Sequence, residues 1–390
     1  MKILHTSDWH VGKGIRGRSR AAEHQAVLAE IAQIADSNAV DVVLVTGDAF
    51  DTAAPTAEAE GIVYRALLDL ADTGAHVVVL AGNHDSPRRW QALQPVMARS
   101  TVHVASEVRR PDHGGVLELE TRSGELARIA LVPFVSQHGV VRADQLMARR
   151  GDQHGARYAE RVRSIIGALT AGFEPDAVNI VAAHLTVASG QPVMGGGERH
   201  AHTIFDYVVA PNVFPASAHY VALGHLHQPH QIPGPCPIWY CGSPLHLDFG
   251  EVETSHKSVL LVEATKDTPA RVEPITLEQG VPLRTVRGTV EELQQRADEL
   301  ADAHVRAVVT EPARAGLADD VRELLPSAVD VRIERPEDDE DQPVDDDLDD
   351  LRGSPLELFQ EYLADQQVQD PAVTALFAEL VEDVLATDST

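Results

Sequence analysis

Val40 to Asp48 reads VDVVLVTGD, a run of β-branched and aliphatic residues closed by a glycine and a carboxylate. Such a run predicts a buried strand that ends in a tight polar turn. On its N-terminal side stand KILHTSD (2–8) and the amphipathic AAEHQAVLAEIAQIADS (21–37). On its C-terminal side stand AEAEGIVYRALLDLADTG (57–74) and AHVVVLAGNHD (75–85). Together they read β-α-β-α-β, the start of a layered α/β fold whose ligands gather where strands meet loops.

Further strands are expected at 127–132, 178–183, 220–223, 238–241 and 258–263, in a mixed or doubled sheet that closes a first domain near residue 265. From Val281 a second β-α-β-α-β pattern follows in LRTVRG, VEELQQRADELAD, HVRAVVTE, LADDVRELL and AVDVRIE, giving a small domain over 275–335. PEDDEDQPVDDDLDD (336–350) is a like-charge run, read as a solvated linker over 336–352. Two short amphipathic helices are expected in 353–390. One starts at Ser354-Pro355 with Glu357 completing a capping box, the other at Asp370-Pro371. Their apolar faces, Leu356, Phe359, Tyr362 and Leu363 on one and Val373, Leu376, Phe377, Leu380 and Val384 on the other, need cover from the body or from another protein's helices.

With 390 residues and 44% apolar content, the chain can bury a sizeable core. It shows neither an apolar run long enough to cross a membrane nor a signal-peptide pattern, so the cytoplasm is the expected location. Cys236 and Cys241 are too few for a disulfide framework, and a zinc site built from them and His230 would lack a local fourth ligand. The net charge of −28 opposes direct binding to nucleic acid. Residues 336–390 hold 18 acidic residues and one basic, which leaves the body at −11. A polyanion would therefore need bound metal ions, local arginine clusters or a partner protein.

Side chains of metal-ligand type stand at the strand ends. Asp8 and His10 alternate past the first strand and point the same way. Asp48 follows Gly47, and Asn83-His84-Asp85 follow Gly82; both glycines allow tight backbone there. His184 ends NIVAAH, and His225 and His227 end YVALGHLH. A single buried histidine is usually a satisfied core residue, but that reading does not account for the whole series. Oxygen and imidazole donors of this kind suit manganese, iron or zinc. Lys13, Arg16, Arg18 and Arg20 follow the first motif, and Arg88 and Arg89 the third. They are candidates for phosphate contact, or else a plain solvated loop.

DWH, GDAFD, GNHD, AAHL and GHLH, in this order and spacing, resemble the calcineurin-type metallophosphoesterase superfamily. Within it, ILHTSDWHVG, RSRAAEHQ, GDAFDTAAP, VVLAGNHDS, YVALGHLH and YCGSPL are similar to bacterial nuclease subunits that process DNA double-strand breaks. Asp51 stands where archaeal and eukaryotic relatives often carry histidine. The resemblance implies a two-sheet β-sandwich flanked by helices, with a small α/β capping domain and a C-terminal helical pair. It implies one metal held by Asp8, His10, Asp48 and His227, and another by Asp48, Asn83, His184 and His225, with Asp48 bridging. Paired cations would neutralise the scissile phosphate and activate water. His84 would face the phosphate as the catalytic residue, oriented and charged by Asp85.

The same resemblance implies a manganese-dependent double-strand 3'-5' exonuclease and single-strand or hairpin endonuclease. It would be a homodimer within a heterotetramer, acting on nucleoid DNA with an SMC-like ATPase whose coiled coil the helical pair grips. Two other readings stay open: a phosphoesterase for nucleotides or phosphoproteins, and a non-catalytic scaffold joining ATPase arms.

Overall fold

The computed structural model describes residues 1–122, 124–135, 152–188, 208–251 and 256–334. The expected acidic linker and helical pair lie outside the described residues. Three strands and two helices follow the sequence reading: β1 (Lys2–Thr6), α1 (Ala21–Ser37), β2 (Val42–Val45), α2 (Ala57–Asp72) and β3 (His76–Leu80). α3 (Pro87–Met97) and β4 (Val102–Ala105), which that reading did not include, extend the same pattern. Next come β5 (Val116–Glu120), β6 (Leu126–Val132), α4 (Asp152–Thr170), β7 (Val178–His184), the short β8 (Thr186–Val187) and β9 (Val208–Val209), and β10 (Tyr220–Gly224). Then β11 (His230–Ile232), β12 (Ile238–Tyr240), β13 (Ser258–Thr265) and β14 (Thr268–Thr276) complete two six-stranded sheets.

The strand orders are β14-β13-β1-β2-β3-β4 and β11-β12-β10-β7-β6-β5. Both sheets are mixed: β1 to β4 run parallel while β13 and β14 are antiparallel, and β6, β7, β10 and β12 run parallel between antiparallel edges. Strand alternation explains why the sheets stack. Ile3, Val42, Leu44, Val78 and Leu80 of the first sheet meet Ile129, Ile180, Tyr220 and Ala222 of the second in one core. Their neighbours Leu4, Val43, Val45, Val77 and Val79 point the other way, under α1 to α3. Val181, Ala183, Val221 and Leu223 likewise pack under α4. Each fully buried Val, Leu or Ile contributes roughly 1.5–3 kcal/mol, so a slip of one residue in any central strand would be expensive. The first sheet runs past residue 265, because β14 pairs along β13 and carries the unit to Thr276.

A separate three-stranded parallel sheet, β15 (Leu283–Gly288), β16 (His304–Val309) and β17 (Ala328–Ile333), packs with α5 (Val290–Gln295) and α6 (Leu317–Leu324) around its own core. It rests on the sandwich through Ile15, Phe249 and Leu283 and through the Arg306 guanidinium, 4.5 Å above the Phe249 ring. Among the described residues no helix is long and apolar enough to cross a membrane.

Candidate metal centre

Strands β1, β2, β3, β7 and β10 all deliver their C-terminal ends to one place. There the structure brings together Asp8, His10, Asp48, Asn83, His184, His225 and His227. The ligand atoms of Asp8, His10 and His227 lie within 4.8 Å of one another, as do those of Asp48, His184 and His225. Asn83 Oδ1 joins the second group, 2.8 Å from His184 Nε2 and 3.0 Å from His225 Nδ1. Asp48 stands between the groups: its Oδ2 is 3.4 Å from His184 Nε2 and 3.9 Å from His10 Nε2.

The backbone is bent to make this possible. Asp8, His10, Asp48 and His225 all have positive φ, at 52°, 45°, 50° and 106°. For residues with a Cβ, strain of this kind costs about 1–3 kcal/mol each and persists where the surroundings enforce it. Close approach also explains two glycines. A Cβ on Gly82 would lie 2.1 Å from Asp48 Oδ1, and one on Gly47 2.1 Å from His184 Nδ1.

The donor set fits divalent ions. Asp48 Oδ2 and His10 Nε2 are buried without a hydrogen-bond partner, although polar atoms left so in a core cost about 1–3 kcal/mol apiece. His184 donates from Nδ1 to the Thr46 carbonyl at 2.8 Å, which leaves Nε2 as the ligating atom. His5, by contrast, is a core histidine. Its two nitrogens meet Tyr220 Oη at 2.8 Å and Thr46 Oγ1 at 3.1 Å, across the sandwich.

The family profile of the calcineurin-like phosphoesterases matches residues 1–229, and that of the type 5 capsule protein repressor C-terminal domain matches residues 279–367. Three SbcD proteins, each named as a part of the nuclease SbcCD, are similar along most of their length. That of Bacillus subtilis is 36% identical over 73% of this chain and 71% of its own. That of Rhodobacter capsulatus is 35% identical over the same shares, and that of Escherichia coli K12 is 32% identical over 77% and 74%. The chain belongs to the SbcD branch of the calcineurin-like phosphoesterases. A solved dimetal phosphatase from Danio rerio aligns with 71% of this chain and 99% of its own at 10% identity, with a TM-score of 0.43.

The electrostatics of this SbcD-type site follow from crowding. Burial pushes the Asp8 carboxyl up to about 6, only partly countered by His184. Burial also acts on Asp48, but the imidazoles of His184, His10 and His84 outweigh it and hold the carboxylate below its ordinary range. His184 is the counterpart: burial opposes its charge, Asp48 outweighs burial, and its pKa rises to about 10. Burial, reinforced by His184, takes His225 down to about 3.

Asp85 differs from its expected role. Its buried carboxylate accepts backbone N–H groups of Gly82 at 2.9 Å, Phe50 at 3.1 Å and Ala49 at 3.4 Å, tying the GDAFD and GNHD loops together. The His84 ring is oriented instead by the Asp51 carbonyl, which accepts from Nδ1 at 2.8 Å, while the His84 N–H donates to Asp48 Oδ1 at 2.8 Å. Burial lowers the His84 pKa where a carboxylate partner would have raised it.

The cations also divide. Arg20 is 2% exposed, bound to Glu23 and to the His246 carbonyl, and so is not free for phosphate. Arg89 pairs with Glu60. Arg16 reaches Asp330 at 3.2 Å and Arg18 the Pro326 carbonyl at 3.2 Å, so both engage the small three-stranded unit. Lys13 lies 3.4 Å from Asp51, and Arg88 is exposed.

Two residues of the site escape sequence reasoning. Asp51 Oδ1 lies 3.3 Å from His10 Nδ1, the place of a carboxylate that orients a ligand imidazole; the second acid of GDAFD was its only signal. Phe134, just past β6, sets its ring edge-on to His184 and near-parallel to His225, and nothing in its local sequence marks it. Cys236 and Cys241 are free thiols, and among the described residues no cysteine joins a metal-type cluster.

Proposed function

We propose that this chain is the nuclease subunit of an SbcCD-type complex, a hydrolase of DNA phosphodiesters with two divalent cations, most suitably manganese. The observation that carries the reading is Asp48 Oδ2, buried, unpartnered and flanked by His10 and His184 between two groups of oxygen and imidazole donors. Asp8, His10, Asp48 and His227 would hold one ion, and Asp48, Asn83, His184 and His225 the other. Ions bound there supply charge neutralisation at a phosphodiester and activation of water.

His84 is half-buried at the rim of the cluster with its Nδ1 occupied, so Nε2 is the atom offered to substrate. With its Nδ1–H given to the Asp51 carbonyl, the neutral ring offers a lone pair at Nε2 that can take a proton from water, and only the protonated ring can donate to the phosphate or the leaving oxygen. Asp51 holds this ring through its carbonyl and His10 through its carboxylate. DNA phosphates would meet Lys13, which lines a cleft of about 340 Å³ together with Asp248, Phe249, Arg16, Arg306 and Arg332, the three arginines being drawn onto Asp330. Arg88 stands exposed in the first turn of α3, just past the GNHD loop. With so few free cations beside the site among the described residues, most of the DNA-binding surface belongs to an SbcC-type SMC-like ATPase. A homodimer within a heterotetramer in the cytoplasm, at the nucleoid, fits that division of labour.

The test is manganese-dependent cleavage of linear and hairpin DNA, with and without the ATPase, by wild type, His84→Ala and Asp48→Ala. Both variants should lose cleavage, by about 100-fold or more for His84→Ala, which should still bind metal. Full activity in His84→Ala would remove it from the mechanism. Hydrolysis restricted to small phosphoesters would transfer the site to another substrate class.

A further inference from the structure

Behind His227 lies a buried ion pair that the proposed chemistry does not use. The Lys257 side chain is 6% exposed and that of Glu251 0%, and they meet at 2.5 Å. The ammonium makes two more hydrogen bonds, to Ser243 Oγ at 3.0 Å and to the His227 carbonyl at 3.2 Å. Its three N–H groups are thereby all used. Glu251 accepts the Leu247 N–H at 2.9 Å through its other oxygen. Ser243 donates its backbone N–H to the same His227 carbonyl at 3.1 Å and its hydroxyl to the Leu245 carbonyl at 2.8 Å.

Burying two charges carries a desolvation penalty that their attraction offsets only with full hydrogen bonding, and apolar side chains of similar size often stabilise a core as well. What this pair does that apolar residues could not do is hold a carbonyl. His227 needs that hold, because β10 ends at Gly224 and β11 begins at His230, so no strand ladder fixes the backbone between them. Both His225 and His227 lie in that gap.

We infer that Lys257 and Glu251 are positioning residues that, with Ser243, fix His227 against Asp8 and His10 for one of the two ions. The inference rests on the reading of Asp8, His10 and His227 as ligands. It also links the metal centre to the loop Leu247–Gly250, whose N–H Glu251 holds and whose residues line the cleft under Arg306.

The experiment is calorimetric titration of the metal-free full chain with manganese, for wild type, His227→Ala, Lys257→Met, Glu251→Gln and Ser243→Ala, with folding checked by circular dichroism. Wild type should take up two ions. His227→Ala should lose one, and Lys257→Met should weaken that same ion by about 10–100-fold while leaving the other unchanged. Ser243→Ala and Glu251→Gln should shift the same ion by less, and they decide the matter if Lys257→Met does not fold. If His227→Ala binds both ions as wild type does, the ligand reading itself fails. If His227→Ala loses one ion while the folded Lys257, Glu251 and Ser243 variants bind both at wild-type affinity, only the positioning inference is overturned. A lowered unfolding midpoint in chelator with unchanged affinities would likewise leave the pair as a packing device and overturn it.

Discussion

The sandwich and the small unit at 283–333 use the same device, parallel strands joined by helices, yet only the sandwich builds a site. In the small unit the strand end is closed locally. β15 runs into Thr289, whose hydroxyl accepts the Glu292 N–H while the Glu292 carboxylate accepts the Thr289 N–H, a capping box that starts α5 at once. In the sandwich the polar residues after β1 and β2 cap nothing. α2 begins only after Thr56 and α3 after Ser86, each with its own cap, so Asp8, Asp48 and Asn83 remain free to face one centre. The backbone records the difference. Among the described residues, four of the six non-glycine positions with positive φ lie at that centre and none in the small unit. Strand-end polarity alone does not make a site; the extra loop length and the strained backbone do.

Glycine substitutions are the most severe way to break this contrast. Gly82→Ala would drive a Cβ to 2.1 Å from Asp48 Oδ1 and 2.4 Å from its backbone nitrogen, in a core with no room to yield. We expect overpacking of about 1–3 kcal/mol and metal affinity lower by about 100-fold or more. Gly288→Ala at the end of β15 would meet Glu292 Oε2 at 2.9 Å and its Cβ at 3.2 Å, a contact relieved by a small shift that gives up the Glu292 half of the capping box. Its effect should stay below about 1 kcal/mol. Urea unfolding and manganese titration of the two variants compare the regions directly. Equal effects would mean that the crowding around Asp48 is no tighter than an ordinary strand end.

A smaller effect is expected where the two units meet. Asp330 accepts from Arg306 at 2.7 Å and also pairs with Arg16 at 3.2 Å and Arg332 at 3.4 Å. Asp330→Ala leaves the three guanidinium groups facing one another, so a loss of about 1–3 kcal/mol is expected. Cleavage near the seam in limited proteolysis should speed up, while manganese affinity should stay as in wild type. A change in metal affinity would show that the small unit helps to shape the site.

The same contrast explains what could be read from the sequence. Asp8, His10, Asp48, Asn83, His184, His225 and His227 were legible because each follows an apolar run and the ends of parallel strands in a sheet are neighbours. That the ends of β1 to β3 meet those of β7 and β10 comes from the stacking of two sheets. The three strands and two helices of the small unit were legible for the same reason of periodicity. Residues whose role depends on the third dimension were not. Arg20 lies beside the DWH motif in sequence, but it caps no phosphate because α1 turns it inward onto Glu23. Asp85 adjoins His84, yet successive residues point apart, and the backbone N–H groups of another loop claim its carboxylate. Lys257 and Glu251 sit in an ordinary polar stretch whose burial only the β13 packing creates. β14 was missed because alternating Thr, Ala, Val and Ile among charges reads as a linker until β13 is there to pair with it.

The smallest effect we expect is a pH dependence at the seam. Glu23 on α1 accepts from His304 of β16 at 2.7 Å and from Arg20 at 2.8 Å. Burial alone would raise its pKa, but those two partners outweigh it and hold the carboxyl near 2, against an ordinary 4.5. A carboxyl with a depressed folded-state pKa contributes stability that is fully present above its unfolded value. That contribution drains away as pH falls toward the folded value. Glu23→Gln should therefore be less stable than wild type near pH 7, and the gap should narrow as the pH drops from about 4.5 toward about 2. Urea midpoints for both proteins across that window measure it. A gap that stays constant with pH would mean that Glu23 acts by shape and hydrogen bonding alone, and that the seam carries no net charge term. A gap that closes as expected would separate the two regions further: one group of acids and imidazoles arranged to bind cations, another that only joins two folded units.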